Sequence, residues 1–195
     1  MKKLTILVLN LFILSSIIFA YDMSVGVGFV YGHVNDTWEN YGYSWDDPHD
    51  ISFSRNQYGG FAFFGTRYTD FNFTVRFSNN DMERKWKTGD PKNANDSSLM
   101  LSVGAYFKIP ITIPGTSIVL FPTIGVDFDG VDDFTYIWFR GGVGFDLFFS
   151  ERLFLRVQAL YGYGIAPPII LNDFGDMVVT PGHGLVAKIG IGRMF

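Results

Sequence analysis

Apolar and polar residues alternate with a period of two along most of the chain beyond residue 20. Successive side chains of a β-strand point to opposite faces, so this period predicts strands with one apolar and one polar face. Seven segments show the pattern clearly, and each has about ten residues, the length that a tilted strand needs to cross a bilayer. An eighth lies near residues 58–64, where Gly59 and Gly60 blur the alternation. The register of that strand stays open, with a β-bulge as one alternative.

The composition of the two strand faces indicates which face meets lipid. Glycine, with 22 copies, crowds the polar face, where it would weaken a water-exposed strand but leaves room in a narrow interior for long basic side chains. Aromatic residues make up 18% of the chain and are frequent on the apolar face, as the interfacial girdles of a membrane barrel require. These features favour a transmembrane barrel over a secreted soluble barrel or sandwich with its apolar face inward.

The connections between the predicted strands alternate in length. Long polar segments at 34–52, 79–98 and 166–181, with a shorter one at 129–133, follow the odd-numbered strands. Short turns at 66–69, 114–117 and 150–152 follow the even ones. Membrane barrels pair long outer loops with short periplasmic turns. The sequence therefore predicts an all-β fold, an eight-stranded antiparallel transmembrane β-barrel in an up-and-down meander. Pro122 fits this prediction poorly, because proline lacks the backbone donor of a central strand.

The N-terminus has the three parts of a secretory signal. Lys2 and Lys3 precede an apolar run from Leu4 to Phe19, and Ala20 supplies a small residue at the cut. We expect a signal peptide at residues 1–20 and an outer-membrane β-barrel domain at residues 21–195. The alternative is a retained membrane anchor, although the run is shorter than the roughly 20 residues of a helical span.

The chain ends in an alternating strand, Gly190-Ile191-Gly192-Arg193-Met194-Phe195. With the signal peptide and the eight-strand pattern, this terminus resembles the small bacterial outer-membrane barrels of the OmpX, OmpA-transmembrane-domain and OmpW type. The resemblance covers residues 22–195 as architecture and implies that Phe195 belongs to the signal read by the barrel-assembly machinery. It also implies an outer-membrane location, in contact with membrane lipid and with lipopolysaccharide or an equivalent outer-leaflet lipid. Arg193 departs from the family pattern, in which this position is apolar or aromatic.

A set of polar side chains is predicted to point into the barrel. Its members carry both signs of charge and come from several strands: Arg76, Lys108, Asp127, Arg140, Asp146, Arg156, Gln158 and Lys188. Because a buried charge must be paired or hydrated, we expect ion pairs across the interior. A packed ionic plug is favoured over an open polar pathway, since eight strands enclose a space just wide enough for side chains.

The first long segment carries four aromatic residues among acids, Trp38, Tyr41, Tyr43 and Trp45. Exposed aromatics of this kind form a candidate recognition surface for an extracellular or host ligand. The alternative is an aromatic belt with packing inside the loop.

Two acidic clusters raise the question of a calcium site. Asp127, Asp129, Asp132 and Asp133 surround Gly130, and Asp46, Asp47, His49 and Asp50 lie in the first long segment. Neither spacing matches the EF-hand pattern, so a hairpin turn and a solvated acidic loop are the favoured interpretations. We predict neither a metal nor a cofactor.

Enzyme chemistry finds little support in the sequence. The chain has no cysteine, and none of its three histidines stands in the His-x-Ser pattern of the lipid A deacylase barrels. The lipid A palmitoyltransferase barrels begin with an amphipathic helix, whereas the first strand here starts close to the expected cleavage site. The formal net charge of −4 gives no basic footprint for nucleic acid.

We therefore expect a non-enzymatic outer-membrane barrel that displays extracellular loops and serves in adhesion, host contact or envelope integrity. The alternative is a narrow, OmpW-like channel for small hydrophobic molecules. That alternative rests on apolar residues predicted on the inner face, which are Val119, Phe121, Trp138, Phe148, Phe154 and Leu160.

Overall fold

The computed structural model describes residues 22–40, 49–85, 93–131, 134–165, 169–171, 175–179 and 182–195. These residues form eleven β-strands: β1 (Ser24–Asn40), β2 (His49–Gly65), β3 (Thr69–Lys85), β4 (Asn93–Lys108), β5 (Ile111–Thr112), β6 (Ile118–Val131), β7 (Phe134–Phe148), β8 (Leu153–Ile165), β9 (Ile169–Leu171), β10 (Gly175–Val179) and β11 (Gly182–Met194). Among the described residues, no helix is long and apolar enough to cross a membrane.

Eight of these strands close into a barrel. Each long strand pairs antiparallel with the next in the order β1, β2, β3, β4, β6, β7, β8 and β11. The ring closes between β11 and β1, whose register runs from Ser24 opposite Met194 to Asn35 opposite His183. Closure gives each of these eight strands a hydrogen-bonded neighbour on both sides, as a hydrocarbon environment demands. The predicted eight-stranded antiparallel barrel is confirmed.

Strand β2 is regular, so the bulge considered near residues 58–64 is wrong. Its pairing with β1 and with β3 advances one residue at a time through Gly59 and Gly60. The alternation is blurred because Phe61 and Phe63 point inward, which makes both faces of β2 apolar over this stretch. A Cβ at the inward Gly59 would collide with the backbone of Val75, so glycine allows the close approach of β2 and β3.

The outer ends of four strands run beyond the predicted boundaries. Strands β1 to β4 have 16 or 17 residues, so much of the segments 34–52 and 79–98 is paired strand rather than loop. Within 166–181, the strands β9 and β10 form a hairpin, and β10 extends the pairing of β1. Apolar alternation in the sequence stops before these strand ends, whereas backbone pairing continues. The sequence pattern therefore marks the lipid-facing part of each strand better than its end.

A gap between β4 and β5, opposite Pro122, explains how proline fits into the continuous strand β6. The pairing of β4 with β6 stops at Lys108 opposite Thr123, and β5 resumes it at Ile111 opposite Leu120. The Pro122 carbonyl accepts a hydrogen bond from the Ile109 amide at 3.1 Å. Since N–H and C=O of one residue point to the same neighbouring strand, the donor that proline lacks falls at this interruption.

The outer wall of the barrel is apolar and the interior is buried. Phe73, Val103 and Ile189 on the outward face are each about half exposed, and Phe29 is 76% exposed. The inward face holds nearly all the buried side chains, including two apolar clusters, one around Phe61, Phe154 and Leu160 and the other around Met100 and Trp138. A water-soluble barrel would not expose so continuous an apolar wall.

Candidate functional site

The structure places all eight predicted inward residues inside the barrel. Each is at most 7% exposed: Arg76, Lys108, Asp127, Arg140, Asp146, Arg156, Gln158 and Lys188. Three further polar residues join them, which are Asp70, Tyr106 and Asp129. The charged groups form two separate clusters, one close to the short turns and one near the middle of the barrel.

The turn-end cluster consists of Asp70, Lys108, Asp146 and Arg156. Arg156 donates from Nε and Nη2 to the two oxygens of Asp146, both at 2.7 Å, and from Nη1 to Asp70 at 2.9 Å. The second oxygen of Asp70 accepts from Lys108 at 2.8 Å. Two bases and two acids thus form one neutral network, in which each ion has at least one partner of opposite sign.

Aromatic rings enclose the guanidinium of this cluster. The Cζ atom of Arg156 lies 4.4 Å from the ring centre of Phe63, 5.2 Å from Phe154 and 5.3 Å from Phe121. Cation–π attraction grows when water is excluded, so these rings strengthen the site as well as fill it. They also place apolar side chains across the interior next to the ion pairs.

The mid-barrel cluster consists of Arg76, Tyr106, Asp127, Asp129, Arg140 and Lys188. One oxygen of Asp127 accepts hydrogen bonds from the Tyr106 hydroxyl at 2.5 Å and from Arg140 Nε at 2.6 Å. Arg76 pairs with Asp129 at 2.7 Å. The second arginine lies farther from that carboxylate, with Arg140 Nη2 at 3.9 Å. Among these six residues three bases face two acids, which leaves one surplus positive charge, and the buried Arg55 is near enough to act electrostatically on Arg76 and Asp129.

Polar contacts continue from Arg76 to residues of β2 and β4. Arg76 Nη1 donates to the side-chain oxygen of Gln57, Oε1, at 2.7 Å, and Gln57 Nε2 donates to the sulfur of Met100 at 3.2 Å. Two residues before Gln57 on β2, Arg55 lies over the ring of Tyr136, with its Cζ atom 5.4 Å from the ring centre.

Lys188 supplies the surplus charge. Among the described residues, no carboxylate lies within 4.0 Å of its Nζ, although Asp127 and Asp129 are near enough to act on it electrostatically. Its nearest aromatic neighbours are Tyr106, 4.8 Å from Nζ to the ring centre, and Phe61, at 5.7 Å. Gln158 lies directly opposite Lys188 on β8 and is buried as well.

Glycines make room for these charged side chains, as proposed from their position on the polar face. A Cβ at Gly104 would overlap the carboxylate of Asp127, and one at Gly162 would lie 2.8 Å from Arg140 Cγ. Both glycines therefore hold space that the mid-barrel cluster occupies.

The apolar residues predicted on the inner face lie there too. Phe121, Trp138, Phe154 and Leu160 are at most 1% exposed, while Val119 and Phe148 are half-buried. A cavity of about 240 Å³ opens at the turn end, and Phe121, Phe148 and Phe154 line it together with Lys108 and Arg156.

Sequence reasoning left out several members of the site. Asp70, Tyr106 and Asp129 alternate with apolar residues on their strands, and that signal was sufficient to place them inside. The sequence also places Asp129 in the acidic turn around Gly130, which is the favoured interpretation of that cluster. In the structure it and Asp127 point inward and contact arginines, so those two do not form part of a turn.

The other predicted sites lie largely outside the described residues. Trp38 belongs to β1 by its backbone, whereas Tyr41, Tyr43 and Trp45 lie outside the description, as do Asp46, Asp47, Asp132 and Asp133. In the described part of the chain, no three histidine, aspartate or glutamate residues lie together in a way that would hold a metal ion. The predicted signal peptide, residues 1–20, also lies outside it.

The C-terminal residue is part of the barrel seam. The Phe195 amide donates to the Met23 carbonyl at 2.9 Å, and its side chain is 64% exposed. The guanidinium of Arg193 lies 5.4 Å from the Phe195 ring.

Comparison with solved structures identifies the fold. The outer membrane protein OprG from Pseudomonas aeruginosa aligns with a TM-score of 0.55 and 13% identity, over 91% of this chain and 97% of that protein. Neisserial surface protein A aligns with a TM-score of 0.47 and 12% identity, over 89% and 97%. No known protein family matches the sequence. No curated protein sequence matches it either. The fold is that of the small outer-membrane β-barrels.

Proposed function

We propose that this chain, which has the fold of a small outer-membrane β-barrel, is a closed, non-enzymatic membrane protein that displays its outer loops at the cell surface. The observation that carries the proposal is the filled interior. Two ion networks and a layer of aromatic rings occupy the barrel, with Arg156 held by two carboxylates and three rings. A barrel of eight strands has no room left beside such side chains for a continuous water column.

Membrane insertion is supported by the outer wall. Its exposed side chains are mostly apolar, and aromatic residues such as Tyr31, Phe107 and Tyr161 are about half exposed on it. An outer-membrane location, export by a signal peptide and delivery through the barrel-assembly machinery belong to the same proposal.

Surface display is supported by the strand lengths. A tilted strand crosses the hydrocarbon layer in about 9–11 residues, whereas β1 to β4 have 16 or 17. Their surplus lies on the side away from the short turns, so the β1–β2 and β3–β4 hairpins project from the membrane. The aromatic segment with Trp38, Tyr41, Tyr43 and Trp45 belongs to the first of these hairpins, which makes it our candidate contact for an extracellular ligand.

A narrow channel for small hydrophobic molecules is the second candidate. The cavity at the turn end favours it, because three phenylalanine rings are part of its lining. The ion pairs of Lys108 and Arg156 stand at the inner end of the cavity and count against a through-path.

Surface labelling tests the orientation, because the chain has no native cysteine. Asn40→Cys places a thiol at the outer end of β1, and Thr116→Cys places one in the opposite turn. On intact cells, a membrane-impermeant maleimide should label the first variant and not the second, while both should react after lysis. Labelling of Thr116→Cys alone on intact cells would invert the topology and remove the display function.

A further inference from the structure

The mid-barrel cluster has more hydrogen-bond donors than the described residues can satisfy. Arg76 Nε, Arg140 Nη1 and Nη2, and Trp138 Nε1 are buried and make no hydrogen bond among those residues, and the two carboxylate oxygens of Asp129 accept none there. The four donor atoms outnumber these two acceptors. The side chain of Arg140 is completely buried and that of Arg76 is 2% exposed. An unsatisfied donor on a charged group is costly in a dry interior, so these atoms indicate a ligand that accepts hydrogen bonds.

These donors lie close to one another. Trp138 and Arg140 are inward neighbours on β7, and Arg140 Cζ lies 4.6 Å from the Trp138 ring centre. Arg76 and Arg140 approach the two oxygens of the same carboxylate, Asp129, at 2.7 and 3.9 Å. The arrangement therefore directs donors from two arginines toward one small region.

The charge balance distinguishes an anion from water alone. Arg76, Arg140 and Lys188 face Asp127 and Asp129, which leaves at least one positive charge uncompensated inside the wall even before the buried Arg55, which also acts on Asp129, is counted. A buried charge without a counter-ion carries a large desolvation cost. Water would satisfy the donors but would not neutralise the cluster, whereas a monovalent anion does both.

We propose that the mid-barrel cluster binds one small monovalent anion of chloride size, held by Arg140 and Arg76 and neutralising Lys188. The narrow interior limits its size, since Trp138 and Met100, which pack in one cluster beside these arginines, are each 1% exposed. The anion is a structural counter-ion that locks the side chains in place. This goes beyond the display function and does not depend on it.

The test uses the full-length mature protein in detergent micelles and bromide as the probe. Thermal unfolding is followed in sodium bromide and in sodium gluconate at equal ionic strength, because gluconate is too large to enter. The unfolding midpoint should rise saturably with bromide and stay flat with gluconate. Equal midpoints in the two salts would overturn the proposal and would fit a Lys188 that is buried as a neutral amine.

Two variants assign the effect to the cluster. Lys188→Gln removes the surplus charge and should weaken the bromide response at least about tenfold, as expected for losing one charge-assisted contact. Arg152→Gln removes a base from an exposed turn and should leave the response unchanged. Equal responses in the wild type and Lys188→Gln would place the bromide elsewhere and end the proposal.

Crystals of the wild type grown in bromide give a result that needs no variant. One anomalous peak between Arg140, Arg76 and Lys188 is expected. Ordered water in that region, with bromide found only on the outer surface, would contradict the site even if both variants failed to fold.

Discussion

The two ion clusters inside the barrel differ in how completely their charges are matched. The turn-end cluster has two bases and two acids, and Asp70 bridges Lys108 to Arg156 with one oxygen for each. The mid-barrel cluster has three bases and two acids, and it leaves donors of Arg76 and Arg140 unsatisfied among the described residues. Both are equally buried, so burial alone does not determine how well a network is paired.

This difference indicates distinct contributions to the barrel. A fully paired buried network loses much when one member is removed, because the partner stays behind as an unpaired charge. A network with surplus charge tolerates loss of the surplus member. We therefore expect the turn-end cluster to dominate stability and the mid-barrel cluster to respond to the ions around it.

The largest effect is expected for Arg156→Ala. It removes three charge-assisted hydrogen bonds and the cation in contact with three rings, and it leaves Asp146 without its partner. The free energy of unfolding should fall by about 5 kcal/mol, the upper end of the range for a broken buried pair. Urea titration of the protein in lipid vesicles measures it. Arg152→Ala in the exposed turn is the control, and similar losses in both would show that the paired network adds no special stability.

A smaller loss is expected for Arg140→Ala in the mid-barrel cluster. Asp127 loses its contact with Arg140 Nε but keeps the Tyr106 hydroxyl and the nearby positive charge of Lys188. The same titration should give a loss of about 3 kcal/mol, the lower end of that range. A larger loss for Arg140→Ala than for Arg156→Ala would reverse the proposed ranking of the clusters.

A larger side chain at Gly104 should lower the free energy of unfolding. A methyl group there overlaps the Asp127 carboxylate, so Gly104→Ala should cost about 1–3 kcal/mol through overpacking. Gly141→Ala on the outward face is the matched control, since its Cβ would meet Ile124 at an ordinary 3.8 Å. That control should be neutral or slightly stabilising. If both variants unfolded alike, the mid-barrel cluster would be loosely packed.

The smallest losses of stability should come from replacing the two buried lysines. The difference between the two losses shows whether each lysine has a carboxylate partner. Lys108→Met removes a partner of Asp70, which remains paired to Arg156, and should cost about 1–2 kcal/mol. Lys188→Met removes the surplus charge and should change stability by less than about 1 kcal/mol when no halide is present. The two variants are compared in gluconate buffer, and a greater loss for Lys188→Met would mean that Lys188 is paired.

Much of the barrel follows from the alternation of residue types. Seven strands show which side chains point inward, because one face is apolar and the other carries charge or glycine. Strand β2 is the exception, since Phe61 and Phe63 point inward beneath Lys188 and Arg156. Two apolar faces remove the contrast on which the prediction depends.

The contacts within the site could not be predicted in the same way. Arg156 and Asp70 are 86 residues apart, and they meet because strand tilt and ring closure bring β8 and β3 together across the interior. Alternation along one strand predicts that a side chain points inward, but it does not predict which side chain of another strand it contacts. The assignment of Asp129 to an acidic turn has a related cause, because β6 continues to Val131, three residues into the predicted connection at 129–133.

Single-channel recording in planar bilayers tests the closed interior most directly. The purified mature protein should give no steady current at moderate voltage, with at most rare and brief openings, because ion pairs and aromatic rings fill the barrel. The Arg140→Ala protein serves as a positive control for a loosened interior and should open more often. Stable, ohmic single-channel currents from the wild-type protein would contradict the account and would favour a channel.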